Sequence, residues 1–456
     1  MAFAALRKKT VAFHTLGCKV NQYEPEELRG QLQLGGFRVV PLHEEADVYV
    51  MNSCSVTADA DSSCRQLARK ILRERPASRI VVTGCYAERA PEELRDLSPR
   101  IEVFGNREKP IIALALGVPT ACVETASKSG VAALAERARA YIKVQDGCDA
   151  HCTYCIIPSV RPELLCRAPE VILREARQLL DRGYREIVLT GVRLGRYHSS
   201  FPQVVSGNPA VSNNASGSPL TACGDDILKK ARFVAAPDIE SWDLVRLVRA
   251  LLELPGDFRI RLSSLEVTEI PESLISLMKE NGKLCPHFHI PLQSGDDEIL
   301  KRMGRWYTAD RYCAQARRIK ERIPDVALTA DVIVGFPGEE EEHFRNSARL
   351  LEEEGFSRLH VFRYSTRPGT PAERLPGHVD PRIKSARMRT LLNLDQTLRG
   401  RYAGRFLHRP VRVLQESDGS GYTDRYVRVR SASPLPEGAF HTLVPAGMTP
   451  QGVLFC

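Results

Sequence analysis

Short apolar runs alternate with amphipathic stretches along the first 120 residues. Three runs have the length and composition of strands, at residues 11–16, 48–51 and 79–83, and apolar residues recur at helical spacing over 23–34. Strands that alternate with helices predict a parallel sheet covered by helices. We therefore predict an N-terminal α/β domain over residues 10–120.

Strand-like and helical segments alternate again after residue 140. An amphipathic helix is predicted at 168–183, and strand-like segments lie at 186–190, 259–263, 287–291, 328–334 and 358–362. Repeated strand–helix units predict a partial, TIM-like (β/α) barrel over 140–380, with its chemistry at the carboxyl ends of the strands. Residues 121–139 are mostly small or charged and are predicted to be a linker. A stretch rich in Ser, Asn and Gly at 199–240 is predicted to be a flexible insertion.

The pattern changes again near residue 409. Short strands separated by Gly, Ser and Pro turns predict a small C-terminal β-barrel over 409–456. A basic connector at 381–408 precedes it, with Lys384, Arg387, Arg389, Arg399, Arg401 and Arg405. Basic residues beside a small β-barrel are typical of an RNA-binding module. Within it, Arg425, Arg428 and Arg430 are candidates to contact phosphate, and Tyr422 and Tyr426 are candidates to stack on bases. A solvated helix face followed by an ordinary β domain explains the same pattern equally well.

Composition narrows the class of protein. The chain has 456 residues, 43% of them hydrophobic, and a net charge of +8, which permits a nucleic-acid partner without requiring one. No run of eighteen apolar residues predicts a membrane span, and the first residues lack a secretory layout, so we predict a cytoplasmic protein without a membrane partner. Thirteen cysteines in a chain of this length do not indicate a disulfide framework.

One group of cysteines is closely spaced. Cys148, Cys152 and Cys155 form the pattern Cys-x3-Cys-x2-Cys within eight residues. Three thiolates suit a soft metal site, whereas a structural zinc site takes four protein ligands. An iron–sulfur cluster held by three cysteines leaves one iron open to a cofactor. A zinc knuckle or chance clustering is the alternative.

A second group of cysteines follows the predicted N-terminal strands. Cys18, Cys54 and Cys85 each lie just after one strand, 31 or more residues apart. Functional groups in parallel α/β sheets gather outside the carboxyl ends of the strands, so these three thiols are predicted to converge on a second cluster. Three inert buried thiols are the alternative.

The order of domains and several motifs resemble the tRNA methylthiotransferases, which are radical S-adenosylmethionine (SAM) enzymes. The motifs are Thr-Leu-Gly-Cys-Lys-Val-Asn-Gln-Tyr-Glu at 15–24, Asn-Ser-Cys-Ser-Val-Thr at 52–57, Val-Thr-Gly-Cys-Tyr-Ala at 82–87, Pro-Leu-Gln-Ser-Gly at 291–295 and Asp-Val-Ile-Val-Gly-Phe-Pro-Gly at 331–338. The resemblance implies an auxiliary-cluster domain, a radical SAM partial barrel and a C-terminal TRAM domain. Residues 19–24 are most similar to the branch that acts on N6-threonylcarbamoyladenosine at tRNA position 37.

The resemblance also implies cofactors, partners and roles. Two 4Fe-4S clusters are expected, one on Cys148, Cys152 and Cys155 that binds SAM, and one on Cys18, Cys54 and Cys85 that carries or supplies sulfur. A 5′-deoxyadenosyl radical then abstracts hydrogen from carbon 2 of the base, and a second SAM donates the methyl group. The expected partners are the tRNA anticodon loop, an electron donor such as flavodoxin or ferredoxin, and a sulfur donor. SAM contacts are expected from Tyr154, Thr190, Gly191, Ser264, Gln293, Ser294, Gly335 and Pro337.

Three positions near the predicted radical site depart from the family pattern. Pro162 replaces a glycine, Cys166 replaces a serine, and Arg193 stands where His or Asn is common. These departures motivate an alternative function, an iron–sulfur RNA-binding protein with lost or altered turnover. Action on isopentenyladenosine tRNA or on a ribosomal protein is a further alternative.

Overall fold

The computed structural model describes residues 8–129, 138–199 and 241–456, and the following statements concern these residues. The flexible insertion predicted for 199–240 lies almost entirely outside them, as do residues 130–137 of the predicted linker.

The N-terminal domain is a five-stranded parallel sheet covered by helices. Its strands are β1 Thr10–Thr15, β2 Arg38–Val40, β3 Val48–Ser53, β4 Arg79–Gly84 and β5 Ile101–Val103, in the order β2-β1-β3-β4-β5. Its helices are α1 Lys19–Leu34, α2 Ala58–Glu74, α3 Cys85–Arg89, α4 Pro91–Arg95, α5 Ile112–Ala115 and α6 Thr120–Ser129. All six residues of β3 are buried, because helices cover both faces of this central strand.

The linker prediction requires a correction in its first part. Thr120–Ser129 form helix α6, which packs against α1, and Arg139 already begins the next strand. Val123 and Ala126 are buried three residues apart, which is helical spacing. Small and charged residues are therefore compatible with a packed helix here, and only the part of the predicted linker after Ser129 remains a linker candidate.

The central domain contains nine strands among the described residues. They are β6 Arg139–Asp146, β7 Leu165–Cys166, β8 Glu186–Gly191, β9 His198–Ser199, β10 Trp242–Asp243, β11 Arg259–Leu262, β12 His287–His289, β13 Ala327–Val334 and β14 Arg358–Arg363. The helices are α7 Ile157–Val160, α8 Pro169–Asp181, α9 Leu244–Leu252, α10 Glu272–Glu280, α11 Asp297–Arg302, α12 Ala309–Arg322, α13 Glu341–Glu354 and α14 Pro381–Gly404.

Six parallel strands of this domain form the partial barrel. β6, β8 and β11 pair side by side, as do β12, β13 and β14, and single bridges from Ile260 to Leu284 and from Ser264 to His289 join the two groups. The resulting order is β6-β8-β11-β12-β13-β14, so the predicted architecture is confirmed. Within the described residues, β14 does not pair with β6.

Sequence reasoning missed strand β6, which leads directly into the Cys148 loop. Ala140, Ile142 and Val144 are fully buried in the central core, while the intervening polar residues face the barrel interior. The alternation of period two is present in the sequence, but its polar members interrupt the continuous apolar run that is typical of a buried parallel strand.

The C-terminal domain is a six-stranded sheet. Its strands are β15 Val411–Gln415, β16 Ser420–Thr423, β17 Arg428–Arg430, β18 Phe440–Leu443, β19 Gly447–Met448 and β20 Leu454–Phe455, in the order β18-β15-β16-β17-β20-β19. The basic connector predicted before it is mostly helix α14, which packs along β14 and so completes the barrel domain. No helix among the described residues is long and apolar enough to cross a membrane.

A buried carboxylate joins the C-terminal domain to the barrel. Glu186 is fully buried and pairs with Arg259 at 2.5 Å and Arg261 at 2.8 Å. The same arginines donate to the carbonyl oxygens of Tyr422, Thr423 and Asp424. Glu186 therefore orients the two side chains that fasten the base of the barrel to the loop after β16.

We expect Glu186→Gln to destabilise the protein by about 3–5 kcal/mol, because it leaves two buried arginines without a counter-charge. Denaturant unfolding followed by circular dichroism measures this change. Glu253→Gln is the matched control, since Glu253 is exposed at the end of α9. Equal stability of the two variants would contradict this role for Glu186.

Candidate functional site

Cys18, Cys54 and Cys85 come together at one edge of the N-terminal sheet. Cys54 follows β3, Cys85 begins α3 directly after β4, and Cys18 lies between β1 and α1. A Cβ atom added to Gly17 would lie 2.6 Å from Cys54 Sγ, so the loop that carries Cys18 passes directly against Cys54. Gly17 has a φ of +100°, and a side chain here would displace Cys54.

The surroundings of these thiols fit a bound metal cluster. Burial raises the pKa of Cys54 to about 12, against an opposing hydrogen bond from the Val56 amide to its sulfur at 3.5 Å. Burial also raises the pKa of Cys18, although part of this residue is exposed. Such thiols stay protonated until a metal displaces the proton.

The second set of cysteines lies in the loop after β6. Burial raises the pKa of Cys155 to about 12, and the Ala150 amide donates to Cys148 Sγ at 3.4 Å. Cys152 Sγ accepts a hydrogen bond from Arg305 Nη1 at 3.3 Å. Among the described residues, no three His, Cys, Asp or Glu side chains surround a position for one metal ion. In a cubane, however, each thiolate binds its own iron, so the thiols stand further apart.

The loop around Cys148 and Cys152 is fixed by close backbone contacts. Gly147 has a φ of +75°, and a Cβ there would lie 1.8 Å from the carbonyl oxygen of Glu163. The Cys148 amide donates to the carbonyl oxygen of Arg161, and the Thr153 amide to that of Met303. These contacts hold both ends of the loop against the barrel.

Arg305 is a site residue that sequence reasoning missed. It is 8% exposed, donates from Nε to Tyr307 and pairs with Glu266 while contacting Cys152. A charged donor forms a stronger hydrogen bond than a neutral one, so Arg305 helps to fix the position of the Cys152 sulfur. The only signal in the sequence is a basic residue directly after Gly304. Because Arg305 lies 150 residues beyond Cys155, sequence spacing does not reveal its contact with Cys152.

The two sets of cysteines share a boundary. Cys85 is 2% exposed and packs with Ile156 and Val160, the residues that follow Cys155. Helix α3, which begins at Cys85, packs against α7. The first set therefore faces the barrel at the same junction as the second set.

An ion network fastens this junction. Arg161 donates to Glu24 and to Asp146 at 2.8 Å, and Lys143 pairs with the same two carboxylates. Burial disfavours the ionised Glu24, but Lys109, Lys143 and Arg161 outweigh it and hold the pKa of this carboxyl well below its usual range. A cavity of about 650 Å³ lies beside the network, and its lining contains none of the six cysteines.

Most residues predicted to contact SAM lie at the carboxyl ends of the barrel strands. Thr190 and Gly191 end β8, Ser264 follows β11, and Gly335 follows β13. Gln293 is 9% exposed with a φ of +69°, and a non-glycine residue in this conformation stores strain of about 1–3 kcal/mol that is common at functional sites.

Several residues of that prediction also make contacts within the protein. Ser294 lies 3.2 Å from Ser347 and accepts from the Asp296 amide. The Lys384 side chain occupies the position that a Cβ atom on Gly335 would take. The Tyr154 ring meets Phe336 edge to face at 6.5 Å, and Phe336 directly precedes Pro337.

The residues that depart from the family pattern fit into the site without disrupting it. Arg193 pairs with Asp149 and Glu269 at 2.7 Å each and stacks on Trp306, so it supports the cysteine loop. Pro162 lines the large cavity. Cys166 accepts a hydrogen bond from the His198 amide.

Tyr422 and Tyr426, the predicted base-stacking residues, make their contacts within the protein. Their rings stack on each other with centroids 4.9 Å apart, and the Arg139 guanidinium lies over both. They pack the C-terminal domain against the barrel instead of forming a free stacking surface.

Comparisons with known proteins agree with this architecture. A model of the radical SAM superfamily matches residues 142–351, and one of the uncharacterised protein family UPF0004 matches residues 10–105. A solved radical SAM methyltransferase, TsrM from Kitasatospora setae with cobalamin and a 4Fe-4S cluster bound, covers 80% of this chain at 14% identity with a TM-score of 0.52, and 77% of that chain is matched. The fold and these matches define a radical SAM protein.

Relatives narrow this class to a family. The threonylcarbamoyladenosine tRNA methylthiotransferase MtaB of Bacillus subtilis is 35% identical over 92% of this chain and 90% of its own. MtaB of Thermotoga maritima is 34% identical over 98% and 97%, and a tRNA-2-methylthio-N(6)-dimethylallyladenosine synthase of Ehrlichia canis is 31% identical over 86% and 83%. The chain belongs to the tRNA methylthiotransferase family, so the prediction of family is confirmed.

We expect Gly147→Ala to lower the iron content of the reconstituted protein, because the added methyl group collides with the Glu163 carbonyl and displaces Cys148. Gly183→Ala is the matched control: Gly183 has a similar φ of +93°, but its Cβ position is open. Iron and acid-labile sulfide per chain are measured after anaerobic reconstitution. Equal iron content in both variants would contradict the role of this loop.

Proposed function

We propose that this chain transfers a methylthio group to carbon 2 of N6-threonylcarbamoyladenosine at position 37 of tRNA. The observation that carries the proposal is the junction at which Cys85 packs against the residues following Cys155. Two clusters at one boundary bring sulfur beside a radical site. MtaB relatives that match more than nine-tenths of this chain support the same substrate class. Nothing in the cysteine loop favours lost turnover, because Arg193 supports the loop.

Cys148, Cys152 and Cys155 are the proposed ligands of the cluster that binds SAM, and Cys18, Cys54 and Cys85 those of the second 4Fe-4S cluster. When bound, the clusters and SAM supply the radical chemistry, the sulfur and the methyl group. The protein excludes water and aligns the groups. Ile156, 3% exposed, and the edge-to-face rings of Tyr154 and Phe336 form an apolar wall beside the cysteine loop.

The proposed SAM site lies at the carboxyl ends of the strands. Thr190, Gly191, Ser264 and Gln293 are its main candidates, since they occupy neighbouring strand ends and Gln293 has a strained backbone. Pro337 belongs to the same edge. Ser294 and Gly335 are candidates through their backbone groups, because their neighbours occupy the space at the side-chain positions.

The C-terminal β-domain is proposed to be a TRAM domain that binds the tRNA. Arg430 is exposed at the end of β17, where a phosphate contact is available. An external electron donor of the flavodoxin or ferredoxin type, a sulfur donor and a cytoplasmic location complete the proposal.

The proposal is tested by analysing tRNA nucleosides by mass spectrometry. A strain lacking the gene is expected to accumulate threonylcarbamoyladenosine without its methylthio form, and the wild-type gene is expected to restore that form. The Cys148→Ala variant should not restore it. Unchanged tRNA, or loss of methylthio-isopentenyladenosine instead, would contradict the proposal.

The two-cluster assignment has a separate test. We expect the reconstituted protein to hold about eight irons and the triple variant Cys18→Ala, Cys54→Ala, Cys85→Ala to hold about four. The triple variant should still cleave SAM to 5′-deoxyadenosine but form no methylthio product. Cys122→Ala, which alters a cysteine outside both sets, is the control. Equal iron content in the triple variant and the wild type would refute the second cluster.

A further inference from the structure

Lys19 extends from the N-terminal domain toward the interior of the barrel. It is the first residue of α1 and directly follows Cys18, and α1 packs against β6 and β8. The ammonium group interacts electrostatically with Arg139 on β6, Arg261 on β11, Asp331 on β13 and Tyr426 of the C-terminal domain. Lys19 therefore lies where all three domains meet.

The carboxylates around Lys19 already have partners. Glu186 pairs with Arg259 and Arg261, and Glu416 pairs with Arg139 at 2.6 Å. Asp331 contacts the ring of His289 at 3.2 Å. The Lys19 ammonium forms no ion pair or hydrogen bond with any other residue that the structure describes. The three carboxylates therefore face one more positive charge than they can neutralise, since the cations are Lys19, Arg139, Arg259 and Arg261.

The pKa of the Tyr426 phenol indicates the sign of the electrostatic potential in this part of the barrel. Burial alone would raise its pKa, yet the charges of Arg139, Lys19 and Arg261 outweigh burial and lower the pKa of Tyr426. A buried acid with a lowered pKa indicates net positive potential. The interior of the barrel is thus suited to a negatively charged group that enters with the substrate.

The proposed substrate carries such a group. The threonylcarbamoyl substituent on N6 ends in a carboxylate, and N6 and carbon 2 lie on either side of N1 on one edge of adenine. A base presented to the proposed sulfur-bearing cluster on Cys18 would direct this substituent along the same edge. Lys19 directly follows Cys18 in the chain, so it lies close to the place where this edge of the base would be held.

We propose that Lys19 binds the carboxylate of the threonylcarbamoyl group and thereby selects this modified adenosine. The inference rests on the proposed function and names the residue that would set its substrate class. A charge-assisted hydrogen bond in a partly desolvated site favours the carboxylate. An apolar isopentenyl group would leave the ammonium unpaired at a cost.

The test compares two forms of one tRNA, the first with threonylcarbamoyladenosine at position 37 and the second with its carboxylate converted to the neutral methyl ester. We expect the reconstituted wild-type protein to prefer the carboxylate form. Lys19→Met should raise the KM for that form by about ten- to a hundredfold and abolish the preference over the ester. Lys19→Arg should restore part of it. Lys70→Met, an exposed change on α2 of the same domain, is the matched control.

A second measurement distinguishes a role of Lys19 in substrate binding from a role in stabilising the neighbouring cluster or tuning its reduction potential. Lys19→Met is expected to keep wild-type iron content, and its formation of 5′-deoxyadenosine without tRNA should be unchanged. An unchanged preference for the carboxylate would overturn the inference, as would a shifted cluster reduction potential accompanied by unchanged KM. If the wild-type protein modifies neither form of this tRNA, the proposed function itself fails, and the inference fails with it.

Discussion

The ion network around Arg161 is the interaction on which the arrangement of the site depends. Arg161 lies six residues beyond Cys155, and its guanidinium bridges Glu24 of the N-terminal domain and Asp146 at the end of β6. Buried ion pairs add little net stability, because desolvation offsets their attraction, but they specify geometry. Here that geometry brings the sheet edge bearing Cys18, Cys54 and Cys85 against the barrel loop bearing the other three cysteines.

The barrel interior is polar and charged, whereas its outer faces pack against apolar helices. Glu186 holds Arg259 and Arg261 toward the C-terminal domain, and Tyr426 inserts beneath Arg139. Domains at both ends of the barrel therefore contribute side chains to one interior. This explains why removing one buried charge is expected to affect domain docking, and why the N-terminal domain can influence what the barrel accepts.

Several buried strands, and the cysteines of the candidate site, could be predicted from the sequence. Strands β3, β4, β8 and β13 each contain a run of three or four apolar residues, because both faces of a parallel strand are covered. Strand β6 was missed, since its inward-facing residues are polar. Tyr422 and Tyr426 were assigned to RNA because their alternation with arginines is the same for an exposed strand and for one packed on charged neighbours.

Local spacing alone was sufficient for the Cys148 triplet, because three ligands within eight residues are brought together by a single loop. Parallel strands similarly required Cys18, Cys54 and Cys85 to share a sheet edge. Contacts between segments far apart in the chain were decided by packing: Arg305 beside Cys152, Cys85 against Ile156, and Lys19 within reach of Tyr426. No periodicity encodes such contacts, since they depend on how whole domains dock and which charges remain unpaired there.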